Sequence, residues 1–176
     1  MSRVAKNISR GVVYMTFVIL TRRNFLAAGG SLAAAGASGL LSPASAQAVA
    51  PTRSVSGGSN NYLKGAPIVE RIGKGGFWMS GTVRRAGDGA PLAGQRIQIW
   101  AHTIEGQEHE QRSHGATVTD KNGVFRLEMP QIIPIFGQPH GHLAYDSGEF
   151  KTVFLRPVMR SAKDKSLEAN FVLQPA

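Results

Sequence analysis

The stretch Arg96-Ile97-Gln98-Ile99-Trp100-Ala101-His102 decides the fold. Polar and apolar residues alternate along it, so Ile97, Ile99 and Ala101 share one face and Gln98, Trp100 and His102 the other. A period of two predicts a strand. Its neighbours read the same way. Phe77-Trp78-Met79-Ser80-Gly81-Thr82-Val83 predicts a strand, and Gly87-Asp88-Gly89-Ala90-Pro91 a turn. Asp120-Lys121-Asn122-Gly123 predicts a hairpin turn, because Asn-Gly takes positive φ readily. Residues 124–128 follow as a strand with Val124, Arg126 and Glu128 on one face, and residues 151–155 and 169–173 complete the set. No segment after residue 66 carries a helical apolar stripe of three turns. Short strands separated by Gly, Pro and Asn turns predict a single all-β domain, an antiparallel two-sheet β-sandwich over residues 66–176. Residues 49–65, rich in Ser, Gly and Asn and without hydrophobic periodicity, read as a flexible linker or a loose arm.

Ahead of the linker the chain changes character. Arg22-Arg23-Asn24-Phe25-Leu26 precedes a run of Ala, Gly, Leu and Ser, and small residues follow at Ala44-Ser45-Ala46 and Ala46-Gln47-Ala48. A basic head, a weakly apolar stretch and an A-x-A site are the order of an export signal. The paired arginines resemble a twin-arginine signal, which predicts a signal peptide over residues 1–48, the twin-arginine translocase as a partner and a periplasmic or other extracytoplasmic location. The apolar run is too short to span a bilayer comfortably. A second short apolar run, residues 11–20, leaves two readings of the start: translation from Met15, or an uncleaved anchor.

The signal also explains the charge. The 176 residues hold 20 Lys+Arg against 11 Asp+Glu, a net charge of +9. Residues 1–48 contribute five basic residues (Arg3, Lys6, Arg10, Arg22, Arg23) and no acidic one, so +4 remains, with a short basic cluster only at residues 156–165. That is not a nucleic-acid footprint, and no nucleic-acid partner is expected. Cysteine is absent, which excludes disulfides, thiolate metal sites and a cysteine nucleophile.

All five histidines, His102, His109, His114, His140 and His142, fall within residues 102–142. In His140-Gly141-His142 an extended backbone puts both imidazoles on one face, roughly 7 Å apart along the chain. Neutral imidazole suits Fe, Cu, Zn or Ni. By itself the pair is also compatible with ordinary surface or hydrogen-bonded histidines.

The order of motifs carries more. Pro91-Leu92-Ala93-Gly94, the Ile97-Gln98-Ile99-Trp100 strand with Gly106 behind it, Asp120-Lys121-Asn122-Gly123-Val124-Phe125 and then His140-Gly141-His142 resemble the core of the intradiol ring-cleavage dioxygenases, the protocatechuate and catechol dioxygenase superfamily. The resemblance covers residues 66–175. It implies a mononuclear non-haem iron held by two histidines and two tyrosinates, a catechol-like aromatic substrate and O₂. His140 and His142 match the paired histidine ligands. The first tyrosine position is Glu108, with His109 beside it. The second falls in residues 128–137, which contain no tyrosine, and Gly137 replaces an arginine that helps the family hold charge on its substrate. Only Tyr62 and Tyr145 follow the signal. Tyr145, three residues past His142, belongs to the opposite face, and Tyr62 reaches the site only if the linker folds back.

Without tyrosinates the site favours a divalent ion: Fe(II), Cu(II), Zn(II) or Mn(II). The candidate ligands are His140, His142, His109, Glu108 and His102, with His114 a further candidate; for Glu105, Glu108 and Glu110, carboxylates of one loop, a solvated charge is the competing reading. No catalytic residue beyond the ligands is assigned. Three functions stand on this reading: an exported oxidoreductase of the intradiol type, a non-catalytic periplasmic carrier of copper or iron, and a structural or partner-binding sandwich with a vestigial site.

Overall fold

The computed structural model describes residues 48–135 and 137–176; the expected signal peptide, apart from its last residue, lies outside the described residues. Eight strands form two sheets: β1 Phe77–Arg85, β2 Arg96–Ala101, β3 His114–Val118, β4 Val124–Met129, β5 Gly141–Tyr145, β6 Val153–Leu155, β7 Ser166–Glu168 and β8 Phe171–Leu173. One sheet is ordered β4-β1-β7, with β8 also pairing β1, and the other β3-β2-β5-β6. The pairs β1–β4, β2–β3, β2–β5 and β5–β6 are antiparallel, whereas β7 and β8 run parallel to β1 along one interrupted edge.

The alternation in the sequence sets the core. Phe77, Met79 and Val83 of β1 and Phe125, Leu127 and Met129 of β4 face Ile97, Ile99 and Ala101 of β2 and Leu143 and Tyr145 of β5. Tyr145 therefore lies in the apolar core, on the face opposite His142. Gly81 occupies the gap in this row on β1. A Cβ there would lie 1.7 Å from the Ala169 carbonyl oxygen, where the edge strand passes between β7 and β8.

The turn at residues 120–123 is not a hairpin. It joins β3 of one sheet to β4 of the other, so it arches across the sandwich. Asp120 Oδ1 accepts from the Asn122 and Val124 amides, both at 2.8 Å, and only Gly123 takes positive φ, at 73°. The Val83 amide donates to the Gly123 carbonyl at 2.7 Å and pins the arch to β1.

Residues 49–65, expected as a flexible linker, instead lie along the sandwich as an arm. Thr52 N donates to Val172 O and Val55 N to Phe154 O, both at 2.9 Å. The arm then crosses the outer face of β5 and β2. There the Asn60 carbonyl accepts from Trp100 Nε1 at 2.9 Å and the Leu63 carbonyl from Gln98 Nε2 at 2.8 Å. It continues to the free edge of β3, where Pro67 and Val69 bond Ala116. The low-hydrophobicity composition that reads as a linker suits such a crossing, since the arm is held largely by backbone N–H and carbonyl groups, with the Tyr62 ring packed against Trp100 and Phe154. β2 and β5 are consequently buried on both faces.

Gly81→Ala is expected to destabilise the fold by at least about 1–3 kcal/mol, the usual cost of forcing extra atoms into a packed position. Urea unfolding of the variant against the parent protein measures it.

Candidate metal centre

The outer face of the second sheet carries a row that its antiparallel register fixes. Trp100 pairs with His114 on one side and with His142 on the other. The three rings stack: Trp100 to His114 at 5.5 Å and 10°, Trp100 to His142 at 5.2 Å and 11°. His140 and His142 project from the same face two residues apart, their ring centroids 5.0 Å apart.

Glu108 reaches this row from the loop after β2. The loop is drawn tight by Thr103 N to Gly106 O at 2.9 Å and by a short 3-10 helix, Gln111–Ser113. Gly106 lets the Ser113 side chain come close, since a Cβ there would lie 2.7 Å from Ser113 Oγ. His114 Nε2 donates to the Glu108 carbonyl at 2.8 Å, which places the Glu108 backbone over the histidines.

The three groups converge on one point. Glu108 Oε2 is 3.4 Å from His142 Nε2 and 3.6 Å from His140 Nε2. The side chains of His142, His140 and Glu108 are 0%, 4% and 13% exposed. Each ring is oriented from behind. His140 Nδ1 meets the Gln138 carbonyl at 2.9 Å and His142 Nδ1 the Gly58 carbonyl at 3.1 Å. A carbonyl only accepts, so both Nδ1 atoms carry the proton, and in the neutral rings both Nε2 atoms present lone pairs toward the carboxylate. Arg156 Nη2 approaches His140 Nδ1 at 3.4 Å, but in that tautomer the pair is two donors and no bond forms.

Glu108 Oε2 and His142 Nε2 are buried with no hydrogen-bond partner. Orphaned buried polar atoms are rare and costly. Donor atoms bonded to one metal at roughly 2.0–2.2 Å lie about 3.0–3.6 Å from each other in octahedral or tetrahedral geometry. The observed spacings fit that, and a hydrogen-bonded carboxylate–imidazolium pair would be shorter, about 2.7–2.9 Å. The donor set, two imidazoles and one carboxylate, is one that a divalent metal takes.

The other predicted residues fall elsewhere. His109 is exposed: the loop that turns Glu108 inward turns its neighbour to solvent. His102 is outside the three-donor group. β2 ends at Ala101, and the chain beyond it pairs with residues 131–133, through Ile133 N to His102 O at 3.2 Å. His102 Nδ1 is nevertheless buried without a partner. His114 holds the Glu108 backbone rather than facing the site. Glu110 pairs with Arg112, and Glu105 accepts from Lys74 N at 3.2 Å. Tyr62 does come back over the sheet with the arm, but its hydroxyl donates to Asp146, away from the three donors. Burial first and then the Asp146 carboxylate push that phenol up to about 12. Asn61 is the residue that sequence reading missed: its Nδ2 donates to Glu108 Oε1 at 2.7 Å. No local signal in a Ser/Gly/Asn-rich segment distinguishes it.

By sequence, no family model matches the chain and no curated protein matches it. Solved structures do match. Hydroxyquinol 1,2-dioxygenase from Pseudomonas putida DLL-E4 aligns with a TM-score of 0.54 at 14% identity, over 74% of this chain and 69% of that one. The dioxygenase domain of a dioxygenase carbohydrate-binding protein fusion from Streptomyces sp. SirexAA-E aligns at 0.52 and 14%, over 65% and 93%. 3-Chlorocatechol 1,2-dioxygenase from Rhodococcus opacus 1CP aligns at 0.51 and 16%, over 65% and 69%. The fold is that of the intradiol catechol and hydroxyquinol dioxygenases. Within this dioxygenase fold, the chain presents Glu108, His140 and His142 as its converging donors.

Burial pushes the His142 and His114 imidazoles below the usual histidine value, against carbonyl contacts and the Glu108 charge, which raise them. The folded state therefore binds fewer protons at these rings than the unfolded chain. Their contribution is complete above the unfolded value of about 6.5 and is lost as pH falls below it. Urea unfolding of metal-free protein is expected to give a lower stability at pH 5.5 than at pH 7.5, and His114→Gln is expected to flatten that slope.

Proposed function

We propose that the protein is an exported non-haem metal oxidoreductase that uses O₂ on a catechol-like aromatic, with one divalent metal on Glu108, His140 and His142. Iron(II) is the preferred ion and copper the alternative. The observation that carries this reading is the meeting of Glu108 Oε2 with two imidazole Nε2 atoms in a buried place where Glu108 Oε2 and His142 Nε2 have no other partner. Two histidines and one carboxylate with open positions are the donor set of non-haem iron(II) oxygenases. A bound metal of this kind supplies Lewis-acid and one-electron chemistry toward O₂ and a phenolic oxygen.

The chain's own residues set the conditions. Two neutral imidazoles and one carboxylate cancel half the charge of a divalent ion, which leaves a net attraction for a phenolate oxygen. Trp100, fully buried against the His142 ring, excludes water from that side. The Gly58 and Gln138 carbonyls keep the protons on Nδ1 and the Nε2 lone pairs turned inward. The aromatic substrate class rests on the fold shared with enzymes named for hydroxyquinol and 3-chlorocatechol. Export rests on Arg22-Arg23 and the run that follows.

Metal analysis of the exported protein is expected to give about one equivalent of iron or copper, and His140→Ala and Glu108→Ala are each expected to abolish it. Oxygen uptake with a panel of catechols then follows the metal. No bound metal in the parent protein overturns the reading, and bound metal without oxygen uptake leaves the carrier role instead. For the export route, the double substitution Arg22→Lys and Arg23→Lys is expected to hold the chain in the cytoplasm, read by cell fractionation.

A further inference from the structure

The arm does more at the centre than cover it. Residues 57–62 form a turn closed on itself by Gly58 N to Val55 O at 3.0 Å, Asn60 N to Gly57 O at 3.2 Å and Tyr62 N to Ser59 O at 3.1 Å. Three consecutive contacts of this turn end on the site: the Gly58 carbonyl on His142 Nδ1, the Asn60 carbonyl on Trp100 Nε1 and the Asn61 amide on Glu108 Oε1. Gly58 lies so close to β6 that a Cβ there would be 2.9 Å from the Phe154 carbonyl oxygen. Asn61 is, among the described residues, the one non-glycine residue with left-handed backbone, at φ 56°. Asparagine tolerates that region better than most residues, yet such positions persist only where the surroundings hold them, and they gather at functional sites. Here the strained residue holds the carboxylate of the converging group.

We propose that Asn61 is a positioning residue for the metal centre, and that docking of the turn at residues 57–62 is linked to metal binding. By donating to Oε1, the Asn61 amide leaves Oε2 as the oxygen turned to the two imidazoles, so Glu108 enters as a one-oxygen ligand. The contact is at 2.7 Å, and it also spreads the carboxylate charge away from the crowded Oε2 side. Linkage then runs both ways: whatever the docked turn adds to metal affinity, bound metal returns as tighter docking of the turn. The Tyr62 hydroxyl on Asp146, itself paired with Arg96 at 3.3 Å, fastens the far end of the turn to β2 and β5. This inference rests on the metal reading above and adds to it the residue that aims the carboxylate.

The test uses full-length protein stripped with a chelator and titrated with Zn(II), a redox-inert probe. Asn61→Gly keeps the left-handed backbone and removes only the amide; Asn61→Ala removes both. Both variants are expected to bind Zn(II) 10–100-fold more weakly, the usual loss when the partner of a metal ligand is removed. The melting temperature of the metal-free Asn61→Gly protein is expected to match the parent's. In the parent, Zn(II) is expected to slow hydrogen exchange at the amides of Gly58, Asn60 and Tyr62, and in Asn61→Gly that protection is expected to shrink. Parent-like Zn(II) affinity in Asn61→Gly overturns the proposal while leaving the metal reading in place. Failure of the parent protein to bind Zn(II), Fe(II) or Cu(II) overturns both.

Discussion

The outer face of the second sheet must be satisfied by something other than water, and the rest of the structure depends on how this is done. Gln98, Trp100 and His142 are fully buried on that face, although the apolar core lies on the other side of the same strands. Burying an amide, an indole N–H and an imidazole without partners would cost several kcal/mol. The arm meets each with a backbone carbonyl, from Leu63, Asn60 and Gly58. A polar, glycine-containing strip is suited to this task because it brings backbone close and carries little bulk. The site exists as a buried place only because the arm closes it.

Against that satisfied background the unsatisfied atoms stand out. Among the described residues three buried side-chain atoms lack a partner: Glu108 Oε2, His142 Nε2 and His102 Nδ1. The first two face each other. The hydrogen bonds around them aim them: carbonyls behind the rings, His114 under the Glu108 backbone, Asn61 on the other carboxylate oxygen. Three groups held so that their lone pairs meet repel one another unless a cation lies between them. The low exposure of the ligands strengthens that repulsion and equally strengthens the attraction for an ion.

Legibility followed the strength of the local signal. Strands β1, β2 and β4 carry clean alternation and were readable, as was the two-layer architecture. β3 contains Gly115 and Ala116, and β7 has three residues, so neither carries a pattern of its own, and each is a strand because a neighbour pairs with it. The turn at residues 120–123 has hairpin chemistry but joins two sheets, since turn residues fix local dihedral angles and not the partner of the following strand. At the site, His140 and His142 were readable because i and i+2 share a strand face. His109 and His102 lie close in sequence to the loop that carries Glu108, but closeness along a loop does not set direction. Loop backbone rotates successive side chains to different directions, so Glu108 went in, His109 went out and His102 left the sheet register.

The sequence alone determined the two-layer β fold, the absence of thiolate ligands and the pairing of His140 with His142, because each follows from composition or from the period of a strand. Only the tertiary structure decided that Glu108 completes the converging group and that residues 49–65 form a fixed wall of the site. Both depend on contacts between segments dozens of residues apart: the Asn61 side-chain amide with the Glu108 carboxylate, and the Gly58 backbone carbonyl with the His142 ring, neither of which any local pattern marks.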